Sequence, residues 1–200
     1  MKDNTEEKIL DAARKVFITK GLDGARMQEI ADEAGINKAL LHYYFRTKQN
    51  LFDAVFEEAF FKLIPHVVNL LTLDIPFLER IEKAIDKYFD VINANPFIPL
   101  FVLHEINRDP DKLASLLKKQ GVNPEKLKLI VEAEVKAGRI IDIRHEHLML
   151  NIISMIVMSF AARPLFQRMF FENQEEQYEE FLKQRKQEIT RFVINSIQKK

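Results

Sequence analysis

No cysteine and no tryptophan occur in this 200-residue sequence, glycine occurs only 5 times, and 30 lysines and arginines are balanced by 30 aspartates and glutamates. Without cysteine there are no disulfides, no thiolate chemistry and no zinc finger; this suits a reducing cytosol, and a cytoplasmic location is expected. The charged N-terminus shows no signal peptide. Zero net charge excludes a chain basic along its whole length, so affinity for a polyanion has to come from a local concentration of cations. Glycine-rich phosphate loops and nucleophile motifs are missing as well, so neither catalysis nor a cofactor is expected. His145-Glu146-His147 is weak as a metal motif, because residues two apart point to different faces of a helix and no third ligand stands at a recognisable spacing. A loop or a helix start accounts for it better. Glu132 and Glu134, with Lys136 and Arg139, read as a solvated helix face.

Strand-like alternation, internal repeats and low-complexity tracts are also absent, which leaves an all-α chain. Hydrophobic residues make up 47% of it, enough for a substantial core. Residues 26 to 48 carry the densest information. A short amphipathic segment ends in Ala34, a Gly35-Ile36-Asn37 turn follows, and the stretch from Ala34 to Asn50 holds Lys38, Arg46 and Lys48 with no carboxylate. Ala31 is small enough for a close helix crossing, and Ile30 faces inward beside it. Gly35 can take the left-handed conformation that stops the first helix. Asn37 is suited to cap the second, through a side-chain oxygen that accepts an orphan amide hydrogen.

With about 100° per residue, Leu41, Tyr44 and Phe45 share one side of that second helix. Lys38, Ala39, His42 and Tyr43 share the other, with Leu40 at the margin. The first set packs; the second is free to read. This is a helix-turn-helix pattern, and its natural partner is the major groove of duplex DNA. Lys38 can reach guanine acceptors or a phosphate, Ala39 and Leu40 a thymine methyl, and His42 and Tyr43 base edges or backbone. Thr47 is placed to cap a further helix whose amides, with Lys48 beside them, would face a phosphate. Arg26 and Gln28 would hold the opposite strand.

Between about Thr5 and Phe56 the segment resembles the DNA-binding domain of the TetR family of bacterial transcriptional regulators. The resemblance rests on Gly21, Ile30-Ala31, Ala34-Gly35-Ile36, Lys38, Leu41, Tyr44-Phe45, Lys48 and Leu51-Phe52, in order and without gaps. It implies phosphate contacts at Tyr44 and Lys48 and base-facing positions at Lys38, Ala39, His42 and Tyr43. Ala25 replaces a common capping threonine, which moves the cap of the second helix to Asp23 or Gly24; Leu40 replaces a threonine or serine and makes readout there apolar; Arg46 replaces a frequent proline.

The expected organisation is a three-helix helix-turn-helix domain over about residues 1–46 and a larger helical effector-binding and dimerisation domain over about 47–200. The first helix should run from about Glu6 to Lys20, capped by Thr5. A long helix from Thr47 should kink or end at Pro65. Further helices are expected near Phe77–Asn95, Phe97–Asn107, Pro110–Lys119 and Pro124–Ala137. Leu148 to Ala162 carries no charge, yet a membrane span needs about 20 apolar residues and Arg163-Pro164 cuts this run short, so no membrane partner is expected. The last helix, about Glu175 to Ile197, has one apolar stripe on a charged background. Two such helices make half of a four-helix interface, and the resemblance implies a homodimer through helices at about 146–170 and 175–197.

Sixteen phenylalanines and 6 methionines supply bulky packing. Phe60, Phe61, Phe97, Phe101, His104, Met149, Ile153, Met158, Phe166 and Met169 are candidates to line a cavity, and plain core packing accounts for the same residues. The resemblance implies a small effector between these helices. A lining with one or two polar groups, His104 or Asn151, favours a hydrophobic or aromatic compound. Such an effector would shift the population away from the conformation that matches successive grooves of a palindromic operator, releasing a repressor. The alternative is an all-α dimer that binds apolar ligands or proteins and uses its N-terminal unit for packing alone.

Overall fold

Residues 4–70 and 73–199 are described by the computed structural model, without the side chains of residues 59, 61–63, 66 and 67. Eleven helices follow one another among the described residues: α1 (Asn4–Gly24), α2 (Met27–Glu33), α3 (Lys38–Tyr44), α4 (Lys48–Leu70), α5 (Phe77–Ala94), α6 (Ile98–Arg108), α7 (Pro110–Lys119), α8 (Pro124–Lys136), α9 (His145–Ala161), α10 (Arg163–Phe170) and α11 (Glu175–Ile197). Among those residues no strand forms, and a single bridge pairs Ile140 with Gln198. The all-α expectation holds. The chain divides into two compact units, Met1–Lys62 and Leu63–Lys200.

In the first unit, α1 turns Ile9, Leu10, Ala13 and Phe17 inward at helical spacing, and these meet Ile30 and Ala31 of α2, Leu41 of α3, and Leu51, Phe52, Val55 and Phe56 of α4 in one buried core. The Phe17 and Phe52 rings meet edge to face at 4.8 Å. Regular helix is interrupted at Gly21, where φ is 68°, close to the expected end at Lys20. Pro65 does not end α4, which passes through it to Leu70.

The second unit centres on α5, α9 and α11. Ile81, Ile85, Phe89 and Ile92 of α5 are buried with Ile152, Ile156 and Phe160 of α9 and Leu182, Ile189 and Val193 of α11. The Phe89 and Phe160 rings meet tilted at 58° with centroids 5.0 Å apart, the Tyr178 hydroxyl donates to the Ser159 carbonyl at 2.6 Å, and Lys186 pairs with Asp86 at 2.6 Å and Asp90 at 3.0 Å. The helix expected over about 146–170 is two helices, α9 and α10, bent by 65°. Pro164 is the reason: it cannot donate into α9 but suits the first turn of α10. Among the described residues no single helix is long and apolar enough to cross a membrane.

Glu134 departs from the expected solvated face. It is buried, with Arg139 bonded to both its carboxylate oxygens at 2.6 and 3.1 Å and Arg80 of α5 at 3.7 Å. Two guanidiniums compensate a carboxylate that burial alone would disfavour. His145 lies in the first turn of α9, where its Nδ1 is 3.0 Å from Glu146, itself held by Arg144 at 2.7 Å.

A candidate nucleic-acid interface on the third helix

The turn between α2 and α3 is fixed by backbone geometry. Gly35 has φ 66°, the left-handed region; its amide donates to the Asp32 carbonyl at 3.1 Å, and the Ile36 amide donates to Ala31 at 3.0 Å. These bonds close the last turn of α2 and satisfy carbonyls that a helix end leaves open. Two residues later the Asn37 side-chain oxygen accepts from the Leu40 amide at 2.7 Å, so α3 is capped. The start of α2 is arranged differently from the expected cap at Asp23 or Gly24. Arg26 takes the capping position, and its backbone amide donates to the Glu29 carboxylate at 3.3 Å. Glu29 also pairs with Lys20 at 3.0 Å, which holds its carboxyl below the ordinary range.

The seven residues of α3 sort cleanly. Leu41 is completely buried and Phe45, just past the helix, is buried as well. Tyr44 and Leu40 are half-buried. Lys38, Ala39, His42 and Tyr43 are exposed on the remaining side, and Tyr43 keeps 80% of its surface in solvent while its ring meets Tyr44 edge to face at 5.5 Å. A large aromatic held that far out is costly to solvate and well placed to touch a partner. His42 Nδ1 lies 3.3 Å from the Arg46 carbonyl, which orients the ring without covering it.

Around this face the predicted phosphate ligands divide into two kinds. Arg26, Asn37 and Thr47 are exposed, but Asn37 and Thr47 already use their side-chain oxygens as caps, Thr47 accepting from the Asn50 amide at 3.0 Å at the start of α4. Gln28 is exposed and donates to Asp32 at 2.8 Å. Lys48 is half-buried, and its ammonium donates to the carbonyls of Asp23 at 3.2 Å and Ala25 at 3.0 Å. The sequence reading missed this structural duty: the lysine ties the start of α4 to the α1–α2 junction. An ammonium has three donors, so one remains.

The candidate effector residues do not gather. Phe97 and Phe101 are buried in the second unit and Phe60 in the first; Met149 is half-buried; His104, Ile153, Met158, Phe166 and Met169 are exposed. Phe61 lies outside the described residues. Asn151 is also exposed, so neither polar group named for the lining faces the interior of the second unit. A cleft of about 870 Å³ opens elsewhere in that unit, lined by Glu79, Glu82, Asp86, Lys186, Thr190 and Arg191 among others, and its charged walls do not suit an apolar guest.

Residues 9–55 match the family model described as bacterial regulatory proteins, tetR family. The chain is similar to the HTH-type transcriptional activator FasR of Mycolicibacterium smegmatis, 33% identical over 46% of this chain and 42% of that protein. It is also similar to the probable HTH-type transcriptional regulator YttP of Bacillus subtilis, 23% identical over 86% and 91% of the two chains. Among solved structures, HlyIIR, a hemolysin II transcriptional regulator, superposes over 98% of both chains with a TM-score of 0.63 at 25% identity. The first match spans less than half of FasR; the other two run nearly end to end.

Proposed function

The chain belongs to the TetR family of bacterial regulatory proteins, which bind DNA and act as dimers, and we propose that it is a cytoplasmic repressor that leaves a palindromic operator when a small apolar effector binds its second unit. It is a regulator and not an enzyme. The observation that carries the reading is the exposed side of α3, where Lys38, Ala39, His42 and Tyr43 stand clear while Leu41 and Phe45 anchor the helix from behind. These four, with Leu40 at the margin, meet base edges. Tyr44, the remaining donor of Lys48, and the amides at the start of α4 capped by Thr47 meet phosphates of one strand. Arg26 and Gln28 meet the other, Gln28 by exchanging its bond to Asp32. Asn37 holds the start of α3 at the groove. In this reading residues 1–46, with Thr47 and Lys48 at the start of α4, recognise DNA, and the remainder of residues 47–200 pairs and responds.

One α3 touches only a few base pairs, so recognition needs a second copy related by a two-fold axis and half-sites about one helical turn, or a multiple, apart. The pairing surface follows from what the second unit leaves uncovered. On α9 the exposed stripe is Leu150, Ser154 and Met158; on α11 it includes Phe192, 63% exposed, with Phe181 further along the same side. Ile153, Phe166 and Met169, expected in a cavity, belong to this apolar surface. Repression requires no further contact, because a dimer seated on an operator obstructs polymerase by its bulk.

The experiment is selection of duplexes from a random pool. A palindrome with two equivalent half-sites is expected, and Lys38→Ala or Tyr43→Ala should weaken its binding by about 1–3 kcal/mol each. Recovery of no preferred sequence, or equal affinity in both variants, overturns the reading.

A further inference from the structure

The last turn of α3 bends one side chain back onto the chain. His42 is exposed, and its Nδ1 lies 3.3 Å from the carbonyl oxygen of Arg46, in the turn between α3 and α4. That oxygen stands outside both helices. The Phe45 amide closes α3 on the Leu41 carbonyl at 2.8 Å, while α4 opens with the Asn50 amide on the Thr47 hydroxyl at 3.0 Å and the Leu51 amide on the Thr47 carbonyl at 3.2 Å. The backbone of neither helix draws on Arg46, so its carbonyl is left for a side-chain donor. A carbonyl oxygen only accepts. In the neutral imidazole the shared proton must therefore sit on Nδ1, and the nitrogen across the ring, Nε2, carries a lone pair and no hydrogen. An imidazole free in water favours the opposite arrangement, with its proton on Nε2. The turn after α3 thus selects the less common form of the ring.

We propose that His42 is a specificity-determining residue that reads an exocyclic amino group in the major groove, adenine N6 or cytosine N4, through an Nε2 lone pair that the Arg46 carbonyl keeps free of hydrogen. This rests on the reading of α3 above and gives one position of the operator a chemistry. In the major groove guanine N7 and O6 and thymine O4 only accept, whereas adenine N6 and cytosine N4 donate. A bare Nε2 pairs with the amino groups and is left unpaired against the others. Phosphate oxygens accept too, so the neutral ring is no phosphate ligand and that duty stays with the cations. Lys38, exposed one helical turn earlier on the same side of α3, is a donor alone and seeks the complementary set, guanine or phosphate. Two side chains on one side of α3 therefore ask for opposite groups. The discrimination comes from a polar atom stranded against the wrong base more than from a gain on the right one.

The test uses the full chain and the palindrome that it selects from random duplexes. Nitrogen–proton correlation spectra at pH 8 report which ring nitrogen carries the proton, and among the five histidines the His42 signal is identified by its loss in His42→Ala. A proton on Nδ1 is expected. In one half-site each adenine is then replaced in turn by purine and each cytosine by 2-pyrimidinone, bases that lack only the amino group. At one position the replacement should weaken binding about tenfold more for the unmodified chain than for His42→Ala, the difference one hydrogen bond makes. The ratio of the two duplexes is taken within each protein, so a general loss of affinity or stability in His42→Ala does not imitate the result. A ring protonated on Nε2, or the absence of any position at which the two proteins differ, overturns the proposal and leaves the regulator reading intact. Recovery of no preferred duplex overturns that reading and the proposal with it.

Discussion

The first unit finishes itself, and the second does not. In the first, large side chains are buried, both helix junctions around α3 are closed by capping bonds, and the prominent exposed aromatic among the described residues, Tyr43, sits on the side proposed to read DNA. In the second, Leu150, Met158, Leu165, Met169, Phe170 and Phe192 remain more than half exposed. Monomers rarely keep so many large apolar groups in water. The contrast teaches that the side proposed to read DNA is held by packing and caps within one chain, whereas the second unit leaves an apolar surface of the kind the proposed pairing would cover.

The comparison can be broken most severely from inside the first unit. Leu41→Ala removes a completely buried anchor and should cost about 3 kcal/mol of stability. Duplex binding should disappear while sedimentation still shows a dimer; loss of the dimer as well would mean that the two units do not carry separate duties. Next in size is the paired substitution Leu150→Glu and Phe192→Glu. It should yield monomers in sedimentation and lower operator affinity about a hundredfold or more, because the second half-site is no longer tethered to the first. A persistent dimer moves the interface elsewhere.

Alkaline pH sharpens the contrast at an intermediate level. Tyr88 has its folded pKa raised from 10.0 to about 12, so the unfolded chain loses this proton first and stability falls as pH rises through that window. The loss amounts to about 1.4 kcal/mol per pH unit for one such group. Denaturant titrations between pH 10 and pH 12 should show a shallower decline in Tyr88→Phe, and equal declines would place the phenol in solvent. The smallest expected effect belongs to the cap of α3. Asn37→Ala should cost about 1 kcal/mol, read as a lower thermal midpoint with a weaker operator complex, and an unchanged midpoint would deprive that cap of its role.

How much of this was legible in the sequence follows the range of the forces involved. Gly35, Asn37 and the alternation of Leu41 with Tyr43 were readable because left-handed backbone, capping and the helical period act within a few residues. The bounds of α7 and α11 were readable from Asp109-Pro110 and from the stripe of Tyr178, Leu182, Ile189 and Val193 for the same reason. The structural duty of Lys48 was hidden because its ammonium is engaged by carbonyls more than twenty residues away. Glu134 looked solvated because the Arg80 that faces it comes from another helix. Met158 and Met169 were read as lining since apolarity alone does not tell an interior from a surface that awaits a partner.

The central claim is that the exposed side of α3 binds duplex DNA through its own cations and aromatics. The most direct measurement is the salt dependence of operator affinity for the unmodified chain and for Lys38→Ala. The account predicts a linear fall of log affinity with log salt in both proteins, with Lys38→Ala binding more weakly at every salt concentration. An affinity that ignores salt, or equal affinity of the two proteins at every salt concentration, would contradict it.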